Sequence, residues 1–101
     1  MIKIKDGVSI IGLDPKMILA LIVANQVYAD HNIDECVLTS GTDSKHGEHS
    51  HHYKGLAIDL RTNNIDINMR KPIVTVLQNA LGAQYQVIYE IDHIHVEFDP
   101  K

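Results

Sequence analysis

The chain has no tryptophan, one phenylalanine and only 5% aromatic residues across 101 positions. A core here must be built from aliphatic side chains, and 45% hydrophobic residues suffice for one modest core. Cys36 stands alone, so no intramolecular disulfide can form, and Cys36 itself reads as a small core residue rather than a nucleophile. No apolar run approaches the roughly 20 residues needed to cross a bilayer; the longest extends from Met17 to Ala24. The start, Met1-Ile2-Lys3-Ile4-Lys5, alternates apolar and charged residues where a signal peptide would carry an apolar stretch. Synthesis in the cytoplasm without a signal peptide, and no membrane insertion, are the expectations. Positive charge is scarce: nine Lys and Arg face thirteen Asp and Glu, for a net charge of −4, which weighs against a nucleic-acid partner. Repeats and linkers are absent, so residues 1–101 are expected to form a single domain.

Residues 2–5 read as a short strand. Asp14-Pro15 opens a helix, with the aspartate as N-cap and the proline at the first helical position. Its apolar stripe is expected to hold Ile18, Leu21, Ile22 and Ala29, widened by Val23 and Val27, with Asn32 as the stop. Glu35 to Ser40 reads as a buried strand. Residues 41–53 have no apolar period and are rich in Gly, Ser, Asp and His, which predicts a long functional loop. Leu56 to Arg61 alternates as a strand, with Ala57, Asp59 and Arg61 on one face. A second helix is predicted over 68–81. Ile73, Val74, Leu77 and Leu81 form its stripe, Pro72 is placed in its first turn, and Gly82 ends it. Two strands follow, Gln86–Glu90 and His93–Phe98, linked by a tight hairpin at Ile91-Asp92. The order predicts an α+β domain: a small, mainly antiparallel sheet with helices on one face.

What is abundant is histidine, seven in all, four of them between His46 and His52 and two at His93 and His95. A hydrolytic zinc site needs three N or O ligands, an open position for water, and a carboxylate nearby that is not a ligand. Two segments offer such groups. In Ser50-His51-His52-Tyr53-Lys54-Gly55-Leu56-Ala57-Ile58-Asp59, a loop histidine precedes a strand aspartate by seven residues, and Gly55 and Ala57 are small enough to leave room beside it. In Asp92-His93-Ile94-His95-Val96-Glu97, His93, His95 and Glu97 share one strand face, with Asp92 at the turn. An aspartate in an otherwise apolar strand needs a partner, and for Asp59 a metal is a better one than Arg61 two positions along.

These segments resemble the zinc peptidases of the D-alanyl-D-alanine carboxypeptidase and L-alanyl-D-glutamate endopeptidase type, a group that includes bacteriophage endolysins. Ser50, His52, Gly55, Ala57 and Asp59 match every fixed position of the first motif of that group, and Asp92 with His95 matches the second. Thr39-Ser40-Gly41 is similar to the strand end that precedes the active-site loop. The resemblance covers roughly residues 35–99. It implies a Hedgehog/DD-peptidase-like fold, a Zn2+ cofactor held by His52, Asp59 and His95, and Asp92 as general base. It also implies peptidoglycan stem peptides as the partner, and a phage or prophage lysis enzyme released to the cell wall by a holin. A monomer is expected. The arginine that the group carries after Thr-Ser-Gly is replaced by Thr42 and Asp43, and Lys45 or Arg61 is the candidate substitute for binding a substrate carboxylate.

His93 is placed as a neighbour of the metal ligands or as a donor to the developing oxyanion. Ser50 is a candidate supporting residue, and Glu90 and Glu97 compete with Asp92 for the base role. His46, His49 and His51 read as solvated loop residues, with a second metal as the alternative. Tyr28 and Tyr53 read as packing or rim residues. Two further readings stay open. His93-Ile94-His95 also resembles the His-hydrophobe-His metal motif of rolling-circle nucleases, with Tyr28 as nucleophile. The other is a non-catalytic, metal-stabilised phage protein.

Overall fold

The computed structural model describes residues 1–43 and 54–100. Among them, the elements run β1 (Ile2–Ile4), α1 (Pro15–Asp30), β2 (Cys36–Ser40), β3 (Ala57–Arg61), α2 (Ile67–Leu81), β4 (Tyr85–Glu90) and β5 (His93–Phe98). The strands form one mixed sheet in the order β1-β2-β3-β5-β4. The β1–β2 pair is parallel, with Ile2 beside Cys36, and the remaining pairs are antiparallel. A helical crossover from β1 to β2 accounts for the parallel pair, since a hairpin cannot make one. The domain is thus α+β, with both helices contributing to one core.

That core lies on one face of the sheet. Leu38, Ile58, Leu60, Ile94 and Val96 project from the strands into Met17, Ala20, Ala24, Tyr28, Ile73 and Leu77 from the helices. Strand alternation sends Ala57, Asp59, Arg61, His93, His95 and Glu97 to the opposite face, which no helix among the described residues covers. Strands β3 and β5 are therefore apolar on one side and chemically loaded on the other. Among the described residues no helix is long and apolar enough to cross a membrane.

The cap at Asp14 forms as expected: its carboxylate accepts from the Lys16 amide and Pro15 takes the first helical position. The buried stripe of α1 differs from the expected one. Met17, Ala20, Leu21, Ala24, Val27 and Tyr28 face the core, while Ile18, Ile22 and Ala29 are exposed. This helix is apolar almost all round in its first two turns, so periodicity alone does not choose a face. The bulk of Met17 and Tyr28, both fully buried, chooses it. Asn32 closes the helix in a left-handed conformation, φ 62°.

Helix α2 begins at Ile67, capped by the Asp66 carboxylate on the Asn68 amide. Pro72 consequently sits in its second turn, not the first. It leaves the carbonyl of Asn68 without its helical donor, a loss that water can make good because Asn68 is exposed. Gln78 on α2 reaches across to the edge strand: its amide donates to the Tyr85 carbonyl and its oxygen accepts from the Val87 amide. That edge is thereby partly closed to other strands.

Candidate functional site

Strand β2 carries a bulge near its end. Leu38 pairs with Leu60 but Ser40 pairs with Asp59, so Thr39 is the extra residue. The Thr39 hydroxyl donates to the Asp59 carbonyl at 3.3 Å, which secures the bulge beside the site. Gly41 follows, so close to Ser9 that a Cβ would collide with the Ser9 carbonyl oxygen. Asp43 fixes this corner, accepting from the Gly41 amide at 2.8 Å and the Ser9 amide at 3.2 Å. Thr42 donates from both its amide and its hydroxyl to the Ser9 carbonyl. The two residues that stand where the resembling peptidases carry arginine therefore tie the loop to the segment before α1.

Asp59 and His95 are direct cross-strand partners. The Nδ1 of His95 lies 2.9 Å from Asp59 Oδ1, and its Nε2 lies 3.0 Å from Glu97 Oε1. The ring is held at both ends by carboxylates, with the His95 and Asp59 side chains 16% and 14% exposed. Asp59 is the main cause that raises the His95 imidazole above its ordinary value; burial opposes the shift and Glu97 adds to it.

His93 sits one pleat away, 3.8 Å from Asp59 Oδ1 through its Nε2. The same nitrogen is 3.2 Å from Glu90, and Nδ1 is 2.6 Å from Asp92. Asp92 itself is at the exposed hairpin turn. The hydrogen bond from His93 is the main cause that holds its carboxyl below the usual range. Of the competitors for the base role, Glu90 is engaged with His93 and Glu97 with His95.

The pair Asp59–His95 fits a metal. A tetrahedral zinc ion with bonds of about 2.0–2.1 Å separates its ligand atoms by roughly 3.3 Å, a few tenths beyond the spacing of Nδ1 and Oδ1. Ligating histidines commonly donate their second ring N–H to a carboxylate, which is the relation of His95 Nε2 to Glu97. The bond now joining Asp59 and His95 depends on a proton that an ion would replace. Among the described residues no group of three or more His, Cys, Asp or Glu side chains is arranged to hold a metal by itself. The third expected ligand, His52, lies outside the described residues, as do Lys45, His46, His49, Ser50, His51 and Tyr53.

A cavity of about 330 Å³ opens beside this pair, lined by Lys5, Thr39, Ser40, Asp59, Arg61, Asn63, Asp92 and His93. It unites Asp59, Arg61, Asp92 and His93 as the sequence suggested. Thr39 and Ser40 join them from the strand end that the sequence singled out, whereas Lys5 and Asn63 come to it unannounced; the parallel pairing of β1 that delivers Lys5 leaves no local signature.

One sequence expectation changes in the structure. Gly55 does not make room for a metal on the strand face. It lies before β3, at φ 73°, with its absent Cβ against the Gly12 carbonyl, and its own carbonyl accepts from the Asp14 amide. Its smallness serves chain packing and a left-handed conformation. Tyr28 is fully buried, donates to the Arg61 carbonyl at 2.9 Å, and has its hydroxyl pushed above the ordinary phenol range chiefly by burial. It is a packing residue, not a nucleophile presented to a substrate. Cys36 is likewise buried, its thiol pushed up to about 12 by that burial. No protein-family model matches the chain, and neither a search of curated proteins nor one of solved structures found a match.

Proposed function

We propose that the protein is a zinc-dependent peptidase that cleaves peptide bonds in the stem peptides of bacterial peptidoglycan, in the manner of a phage or prophage lysis enzyme. The observation that carries the reading is the His95 ring set between Asp59 and Glu97, on the two segments whose sequence resembles the cell-wall zinc peptidases. His52, Asp59 and His95 would hold the ion. Bound zinc supplies a Lewis acid and lowers the pKa of a coordinated water to about 7.

The remaining chemistry belongs to the chain. Asp92, kept ionised by its contact with His93, accepts the proton of the attacking water and returns it to the leaving amine. His93 lies within reach of both Asp92 and Asp59, where its ring can donate to the oxygen that gains negative charge. Glu97 fixes the His95 ring so that Nδ1 stays turned toward Asp59. The burial of the Tyr28 hydroxyl weighs against the nuclease reading, which calls for a helical tyrosine such as this one as nucleophile.

The test is digestion of purified peptidoglycan by the full chain, with and without a chelator, followed by mass analysis of the products. New amine and carboxyl ends that depend on the metal are expected. A metal-loaded sample that releases neither would sink the peptidase reading.

A further inference from the structure

The two helices differ on the side that faces away from the sheet. On α2 that side carries Asn68, Lys71, Thr75 and Asn79, all polar and all exposed. On α1 the only charged residues are Lys16 and Asp30, one at each end. Between them the outward side presents Ile18, Leu19 and Ile22, exposed at 45%, 54% and 54%, followed by Gln26 and Ala29. The helical period gathers these five into one strip, about 16 Å long. A helix that is apolar on every side is normally buried on every side, whereas α1 is buried on one. Large aliphatic side chains joined in a strip, unlike ones scattered singly, mark a contact face.

The two end charges choose the occupant. Their separation along the helix is close to four whole turns, so Lys16 and Asp30 lie on the same flank of the strip, roughly 21 Å apart. Both are held in place: the Lys16 ammonium rests 5.1 Å from the centre of the Phe98 ring, and the Asp30 carboxylate accepts from the Gln26 amide at 2.8 Å. We propose that the strip is a contact between two copies of this chain, paired antiparallel through α1, in place of the expected monomer. A two-fold axis near Ile22 and Val23 sets Lys16 of each copy beside Asp30 of the other. It also opposes the two helix dipoles and lays Ile18 and Leu19 against the slimmer Gln26 and Ala29. A parallel pair would instead set lysine beside lysine and aspartate beside aspartate. An anionic lipid surface is a poor alternative, since the chain carries a net charge of −4 and α1 offers it a single lysine. The pairing leaves the Asp59–His95 face open, because α1 packs on the other side of the sheet, and it stands apart from the peptidase reading. The strip is smaller than the roughly 800 Å² per partner of a standard interface, so the dimer is weak, half formed at about 100 μM.

The experiment is analytical ultracentrifugation of the full chain, loaded from about 5 μM to about 500 μM. The weight-average mass should rise across that range from 11.3 kDa toward twice that value. Ile22→Glu sets two carboxylates against each other at the axis and should weaken the dimer about tenfold or more; Ile22→Gln, which adds no charge, should weaken it in the same direction. Lys16→Glu and Asp30→Lys should each weaken it about threefold, and the two together, which exchange the charges, should restore it. All three positions are exposed, and unchanged far-UV circular dichroism confirms that the variants fold. A mass of 11.3 kDa throughout, a dimer indifferent to both Ile22 substitutions, or a charge exchange that fails to restore what the single reversals lost overturns the proposal. Flotation of the chain with phosphatidylglycerol vesicles, while it stays monomeric without them, also overturns it and assigns the strip to a lipid surface.

Discussion

Replacing Glu97 by alanine tests the metal site through a residue that is not itself an expected ligand. The His95 Nε2 and Glu97 Oε1 are 3.0 Å apart, and both side chains are shielded, at 16% and 14% exposure. Alanine leaves the ring nitrogen facing a gap, frees the imidazole to rotate, and withdraws the negative charge that makes it a stronger donor. Losing such a carboxylate behind a ligating histidine costs about 10–100-fold in metal affinity, or roughly 1.4–2.7 kcal/mol. The loss of a hydrogen bond involving a charged group, about 1.5–3 kcal/mol, agrees in scale. The control is Glu90→Gln. It removes the same formal charge from the same sheet face but touches His93 instead of His95, and at 49% exposure Glu90 is screened by solvent. Zinc affinity, measured by competition with a chromophoric chelator at neutral pH, should fall in Glu97→Ala and stay within about threefold of the parent in Glu90→Gln. Equal affinities for the parent and Glu97→Ala, or equal damage from the two substitutions, would refute the assignment of Glu97 as the residue that orients a metal-binding His95.

Asp92→Asn should lower hydrolysis by roughly 10²–10⁴-fold, the usual worth of a general base, while zinc content by mass spectrometry stays that of the parent; loss of both together would make Asp92 a ligand or a folding residue instead. Gly55→Ala forces a side chain into φ 73° against the Gly12 carbonyl and should cost about 2 kcal/mol or more, seen as a thermal midpoint lower by roughly 10 °C. In the metal-free protein the raised His95 imidazole favours its protonated form on folding. Its contribution is therefore complete below the ordinary histidine value of about 6.5 and is lost as pH rises through the higher folded value. Urea unfolding in chelator should show stability declining over that rise, with the decline flattened in Asp59→Asn. A parent profile that instead climbs across the same window would contradict the Asp59–His95 coupling.

Much of this arrangement is local and was therefore legible. The run from His93 to Phe98 alternates strictly, so its apolar face, Ile94 and Val96, and its polar face, His93, His95 and Glu97, follow from strand geometry alone. The same holds for Asp59 and Arg61 on β3. The role of Glu97 was within reach of that reading as well, since two residues apart on one strand face is close enough for a carboxylate to meet an imidazole. Helix α1 was less legible. A helix surrounded by Ile, Leu and Val offers several apolar stripes, and only contact with the sheet selects Met17 and Tyr28. Pro72 lies one turn deeper in α2 than expected for a related reason: a proline outside the first turn is disfavoured but tolerated where the carbonyl four residues before it, that of Asn68, belongs to an exposed residue.

The parts of the site that escaped the sequence are those brought in by the order of the sheet. Lys5 reaches the cavity because β1 pairs in parallel with β2, and β2 lies beside β3, relations that no spacing along the chain records. Asp43 makes the point from the other side. As a sequence position it marks a missing cation. In the fold, its carboxylate gathers the Ser9 and Gly41 amides and so anchors the corner that follows β2. A basic side chain at that position could accept from neither amide, so this loop corner and a cation there are mutually exclusive.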